Sequence, residues 1–112
     1  MKKIEAIIRP EFLLKVKEKL EKIGHYGLTI TDVEGCGKQG GIVRNWRGEK
    51  YKVEFIEKIK VEIIAKDIDV EKIVKVIIDT ARTGEIGDGK IFILPVENVI
   101  KIRTGEKGNA AI

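Results

Sequence analysis

Two glycine-rich segments hold the residues best suited to binding an anion: GCGKQGG at 35–41 and TGEIGDGK at 83–90. Glycine lets successive backbone N–H groups turn inward around phosphate oxygens, and the lysines at Lys38 and Lys90 add charge. Neither segment is a Walker A loop or a dinucleotide fingerprint, and each alone reads equally well as a glycine turn. Together, and with Lys90, Lys101 and Arg103 in the same chain, they point to an anionic ligand. A second kind of chemistry lies at 42–51, IVRNWRGEKY, where the single tryptophan, Trp46, is flanked by arginines. An aromatic anchor beside cations is contact-site chemistry. One histidine and one cysteine, His25 and Cys36, leave no cluster for structural zinc and no internal disulfide, so a metal must be held by oxygens or by a bound ligand. Cys36 reads as a small packing residue and His25 as a helix-end residue. A hydrolase or phosphotransferase would need a nucleophile or general base in the glycine-rich segments, and His25 lies outside them with no paired carboxylates there.

These segments must be positioned by one compact domain, the size expected of 112 residues. No apolar run approaches the roughly 20 residues of a membrane helix, and Glu5 interrupts the only apolar stretch of the N-terminus, so no signal peptide is expected and the address is cytoplasmic. The net charge of +4 is spread among interleaved acids and bases, a solvated surface that does not demand a nucleic-acid partner. Ile4, Ala6 and Ile8 alternate with Ile7 on the other face, predicting a strand, and Pro10 opens a helix whose stripe is Leu13, Val16, Leu20 and Ile23, stopped by Gly24. Residues 28–33 predict a second strand; Ile59, Val61, Ile63 and Ala65 predict a third. Asp69 is the expected N-cap of a second helix with the stripe Val70, Ile73, Val74, Ile77 and Ala81. Residues 91–94 form the last core strand, and 99–103 a further short one with Lys101 and Arg103 on one face.

The order βαββαβ describes an α+β, ferredoxin-like sandwich with both helices on one sheet face. Half of the sheet is left uncovered, and Ile4, Ile7, Ile64 and their neighbours make both strand faces apolar enough to predict a homo-oligomer. Nucleic acid would require aromatic residues on the open face, where the central strands carry Ile and Val. The long connection between the second and third strands, about 36–55, exceeds the usual length of an unstructured loop and is expected to be functional.

TGEIGDGKIFILPV at 83–96, followed by IRTGEKGNAAI at 102–112, closely resembles the signature of the PII nitrogen-regulatory signalling proteins. KKIEAIIRP, GLTITDVEGCGKQGG, RGEKY and FIEKIKVEI extend the resemblance over the whole chain. It implies a single PII-like domain over 1–112 that forms a homotrimer, with a T-loop at about 36–55, a B-loop at 82–90 and a C-terminal segment at 97–112. It further implies a regulatory protein rather than an enzyme, with ATP or ADP bound between subunits. By position, Gly87, Asp88, Gly89 and Lys90 would hold the phosphates, with Gly35, Gly37, Lys38 and Gln39 from the same subunit and Ile7 near the adenosine. A neighbouring subunit would supply Thr29, Glu62 and Ile64 to the base and ribose, and Lys101 and Arg103 to the phosphates. Lysine stands at 38 and 101 where the family often has arginine, which keeps charge but loses the forked geometry. Gln39, Gly41 and Lys58 match the 2-oxoglutarate site, with Gln39 also a ligand to Mg²⁺ held between ATP and the keto acid. The implied output is T-loop shape, with Arg47 and Trp46 meeting a target: an ammonium transporter, through which alone the protein would meet a membrane, or a nitrogen-assimilation enzyme. Tyr51 occupies a position some relatives uridylylate. Trp46 replaces the tyrosine of that motif and Glu49 the serine another branch phosphorylates, so ligand occupancy rather than covalent marking of Tyr51 is the expected control.

Overall fold

The computed structural model describes residues 1–25, 27–36, 42–46, 49–53 and 55–112, the side chains of 42–46 and 49–53 excepted. Four strands, β1 (Lys2–Ile8), β2 (Thr29–Cys36), β5 (Phe55–Ala65) and β6 (Lys90–Pro95), form one antiparallel sheet in the order β2–β5–β1–β6. Helices α1 (Leu13–Lys22) and α2 (Val70–Ala81) pack against each other and cover one face. This is the ferredoxin-like arrangement expected from the periodicities.

The covered face is built from the alternation that marked the strands. Ile4, Ala6 and Ile8 of β1 and Ile59, Val61, Ile63 and Ala65 of β5 are buried against Val16 and Leu20 of α1 and Ile73, Ile77 and Ala81 of α2. Fully burying one such aliphatic side chain contributes about 1.5–3 kcal/mol, so this single cluster carries most of the fold's driving force. Pro10 opens a 3-10 turn, Pro10–Phe12, that runs into α1, where its fixed φ and missing N–H cost nothing. Gly24, at φ 91°, ends the helix, and the His25 N–H returns to the Leu20 carbonyl at 2.9 Å.

Three expectations are corrected. The connection after β2 has structure of its own: β2 runs on to Cys36, and β3 (Ile42–Trp46) and β4 (Glu49–Val53) pair antiparallel from Ile42↔Val53 to Trp46↔Glu49. Segments as rich in β-formers as IVRNW and EKYKV satisfy their backbone groups by pairing with each other. Residues 99–103 are not a strand. Ile100 makes an isolated bridge to Lys107, and the Gly105 N–H bonds the Lys101 carbonyl at 2.7 Å, with Gly105 at φ 75°. The glycine closes a turn where alternation predicted extension, so Lys101 and Arg103 do not share a strand face. Asp69, finally, does not cap α2 with its side chain; it ends a 3-10 turn, Asp67–Asp69, and its carboxylate pairs with Lys72 at 3.2 Å.

Candidate functional site: the glycine loop and its cleft

The loop joining α2 to β6 crosses the end of β1. Gly84, Gly87 and Gly89 take φ values of 89°, 105° and 94°, a region that side chains disfavour. At Gly89 the reason is also contact: a Cβ there would lie 1.7 Å from the Ile7 carbonyl oxygen. The loop therefore rests directly on the backbone of β1, a strand paired on both sides by β5 and β6.

Asp88 closes the loop on itself. Its carboxylate accepts the Thr83 and Gly84 N–H groups, each at 2.9 Å, and the Thr83 hydroxyl at 2.5 Å. Arg9, just past β1, pairs with the same carboxylate and donates to the Thr83 hydroxyl at 3.1 Å and the Ile86 carbonyl at 3.0 Å. The Thr83 hydroxyl, the Gly84 and Thr83 N–H groups and the Arg9 guanidinium outweigh desolvation and hold the Asp88 carboxyl far below the usual carboxylate range. A carboxylate stabilised in this way is a poor proton acceptor, unsuited to general-base work near neutral pH.

Beside the loop opens a cleft of about 500 Å³ between Ile7 of β1, Gly35 and Cys36 of β2, Lys58 of β5 and residues 85–90. Among the described residues Lys58 is the only buried charged side chain, 7 % exposed. Its ammonium donates to the Gly87 carbonyl at 2.5 Å. Burial, and secondarily the neighbouring Arg9, lower its pKa, opposed by Glu11 and Asp88. Gly35 leaves room for the lysine stem, since a Cβ there would sit 3.3 Å from Lys58 Cγ. A second depression, of about 420 Å³, lies behind the loop and is mainly apolar, lined by α2 and β6 side chains such as Val74, Ile78 and Ile93.

Of the expected site residues, the fold gathers Ile7, Gly35, Lys58, Gly87, Asp88, Gly89 and Lys90 around this cleft. Thr29 and Glu62 face each other in register farther along the sheet. Glu62 is about 13 Å along β5 from Lys58 at the usual rise per residue. Ile64 lies farther still, and Lys101 and Arg103 belong to the C-terminal turn. Gly37, Lys38, Gln39, Gly41 and Arg47 lie outside the described residues, as do the side chains of Trp46 and Tyr51. Among the described residues no cluster of three or more His, Cys, Asp or Glu is placed to hold a metal. Nothing in the sequence distinguishes Arg9 or Thr83 as a loop-fastening residue, because what marks them is a contact across the chain.

The uncovered face carries Ile7 and Ile64, with the exposed Phe92 and Leu94, beside a cluster of charges. Glu5 and Glu62 stand opposite each other in register, and Lys3 bridges both at 2.9 and 3.0 Å, with Lys60 at 3.4 Å from Glu62. Hydrogen bonding to Lys3 holds the Glu62 carboxyl below its ordinary 4.5. A depressed carboxylate contributes stability above its unfolded pKa and loses it as pH falls through the folded value. Lys3→Met leaves two facing carboxylates that repel, a strain relieved when they protonate. The stability gap between wild type and K3M is therefore expected to be wider at about pH 7 than at about pH 4 in urea denaturation; a gap independent of pH would contradict the pairing.

The family model described as "Nitrogen regulatory protein P-II" matches residues 1–106. The chain belongs to the nitrogen regulatory protein P-II family. It is 54 % identical over 112 residues to the P-II protein of Microchaete diplosiphon and 55 % identical over the same length to that of Nostoc punctiforme, covering all of both. A solved structure of Arabidopsis thaliana PII bound to citrate is similar at a TM-score of 0.80 and 45 % identity, across 98 % of this chain and 87 % of that one. The P-II fold thus surrounds the glycine loop, and proteins of this family are named as regulators rather than as enzymes.

Proposed function

We propose that this P-II chain is a ligand-read switch that makes and breaks no covalent bond. The phosphates of ATP or ADP lie on the N–H groups of the 87–89 backbone and on Lys90, and 2-oxoglutarate lies beside them on Lys58, with Gln39 and Gly41. The observation that carries this reading is the contact of the buried Lys58 ammonium with the Gly87 carbonyl, which makes an acid-binding cation and a phosphate-binding loop parts of one device. The described cleft offers no oxygen cluster for Mg²⁺, so the phosphates and the keto acid would chiefly hold it, with Gln39 as the protein donor. That ion would neutralise the facing anions.

Thr29, Glu62, Ile64, Lys101 and Arg103 lie apart from the cleft within one chain, which fits completion of the site by the next copy in a trimer. Ligand occupancy then biases the 36–55 segment between shapes, and Trp46 and Arg47 meet the target, an ammonium transporter or a nitrogen-assimilation enzyme in the cytoplasm. Calorimetric titration tests the ternary site. Heat from 2-oxoglutarate is expected only when Mg-ATP is present and to vanish with ADP; the same heat without nucleotide would overturn the joint site.

A further inference from the structure

We propose that Arg9 and Thr83 are positioning residues that set the shape of the phosphate-binding loop, and that the Asp88 side chain is the loop's internal anchor rather than a ligand contact. The inference rests on the nucleotide reading given above. Three glycines at positive φ within the six residues 84–89 would leave this loop many conformations. The Asp88 carboxylate gathers the Thr83 and Gly84 N–H groups and the Thr83 hydroxyl, so those donors are spent inside the loop, and the N–H groups of the later residues remain to meet phosphate. Arg9 fastens the outside. Its Nη1 reaches the Asp88 carboxylate and the Thr83 hydroxyl, and its Nη2 the Ile86 carbonyl, so one planar fork spans three points of the loop.

The fork has a rigid base. Arg9 follows β1 directly and precedes Pro10, whose ring disfavours a helical backbone before it; Arg9 takes φ −66°, ψ 140°. The loop is thus strapped to a central strand, across 79 positions of sequence, and presents its amides already ordered. A site that need not order itself on binding keeps affinity it would otherwise lose.

The strap predicts effects that a general loss of stability would not produce. Thr83→Val keeps size and charge and removes only the hydroxyl; Arg9→Lys keeps charge and removes the fork; Thr83→Ser keeps the hydroxyl. ATP and ADP affinities are expected to fall together by about tenfold in T83V and R9K and to stay near wild type in T83S. In nucleotide-free protein the Gly84 amide of T83V should exchange with solvent about tenfold faster. Folded variants that bind both nucleotides within twofold of wild type would overturn the proposal. So would a loss confined to ATP, or lost affinity with unchanged Gly84 exchange, because either marks Arg9 or Thr83 as a direct ligand contact. A wild-type protein that binds neither nucleotide would instead refute the underlying functional reading.

Discussion

Gly89→Ala is expected to damage this loop far more than Gly84→Ala. The new Cβ would lie 1.7 Å from the Ile7 carbonyl oxygen and 2.8 Å from its carbon, and both belong to backbone, which cannot swing aside as a side chain can. β1 is held on one side by β5 and on the other by β6, so the loop must lift. Lifting it pulls Asp88 away from Arg9 and takes the neighbouring amides out of the cleft. The φ of 94° adds strain of its own. The expected cost is about 3–5 kcal/mol, read as a fall in Tm of about 10 °C or more, with ATP binding lost at temperatures where the variant is still folded. Gly84→Ala is the control. Its φ of 89° is similar but nothing lies within 4 Å of the added carbon, so only the backbone strain of about 1–2 kcal/mol applies. Equal losses for the two variants would contradict the close approach to Ile7.

Lys58→Met is expected to separate the two ligands. Methionine keeps an unbranched stem of similar length in the space that Gly35 leaves open and removes the ammonium. Burial works against the charge of Lys58, but removing the ammonium also takes the donor from the Gly87 carbonyl, so the fold is expected to lose about 1–3 kcal/mol and binding is measured where the variant remains folded. Without the ammonium, a carboxylate entering the cleft meets no cation at this position. The loss of a charge-assisted partner in a desolvated site costs about 2–5 kcal/mol, so 2-oxoglutarate affinity measured with saturating Mg-ATP should fall at least about 30-fold, while ATP affinity alone should change less than about tenfold. Undiminished 2-oxoglutarate binding to a folded K58M would remove Lys58 from the site.

The elements were legible where one periodicity ran without competition. The alternation of Ile4, Ala6 and Ile8 and the stripe of Ile73, Ile77 and Ala81 are buried as read, because each side chain follows from backbone geometry alone. The segment at 99–103 alternates equally well, but Gly105 supplies a turn and Asn98 accepts the Val99 and Gly108 N–H groups, so local hydrogen bonds prevail over pattern. The glycines of the loop announced a turn or an anion site; which of them touches β1 depends on tertiary approach. Lys58 looked in sequence like any lysine of a lysine-rich chain, since its parity puts it on the uncovered face. Its burial comes from the loop folding over it, and Arg9 and Asp88 are joined in the same way, by a contact between distant parts of the chain.

In the proposed site the loop at 83–90 presents its backbone to phosphate with Lys58 alongside. Titrating Mg-ATP into isotopically labelled protein while following individual backbone amides tests it most directly. Saturable shifts are expected at Gly87, Asp88, Gly89 and Lys90, with the Lys58 ammonium signal moving further when 2-oxoglutarate follows. Saturable ATP binding that leaves those four amides unmoved and shifts residues elsewhere would contradict it.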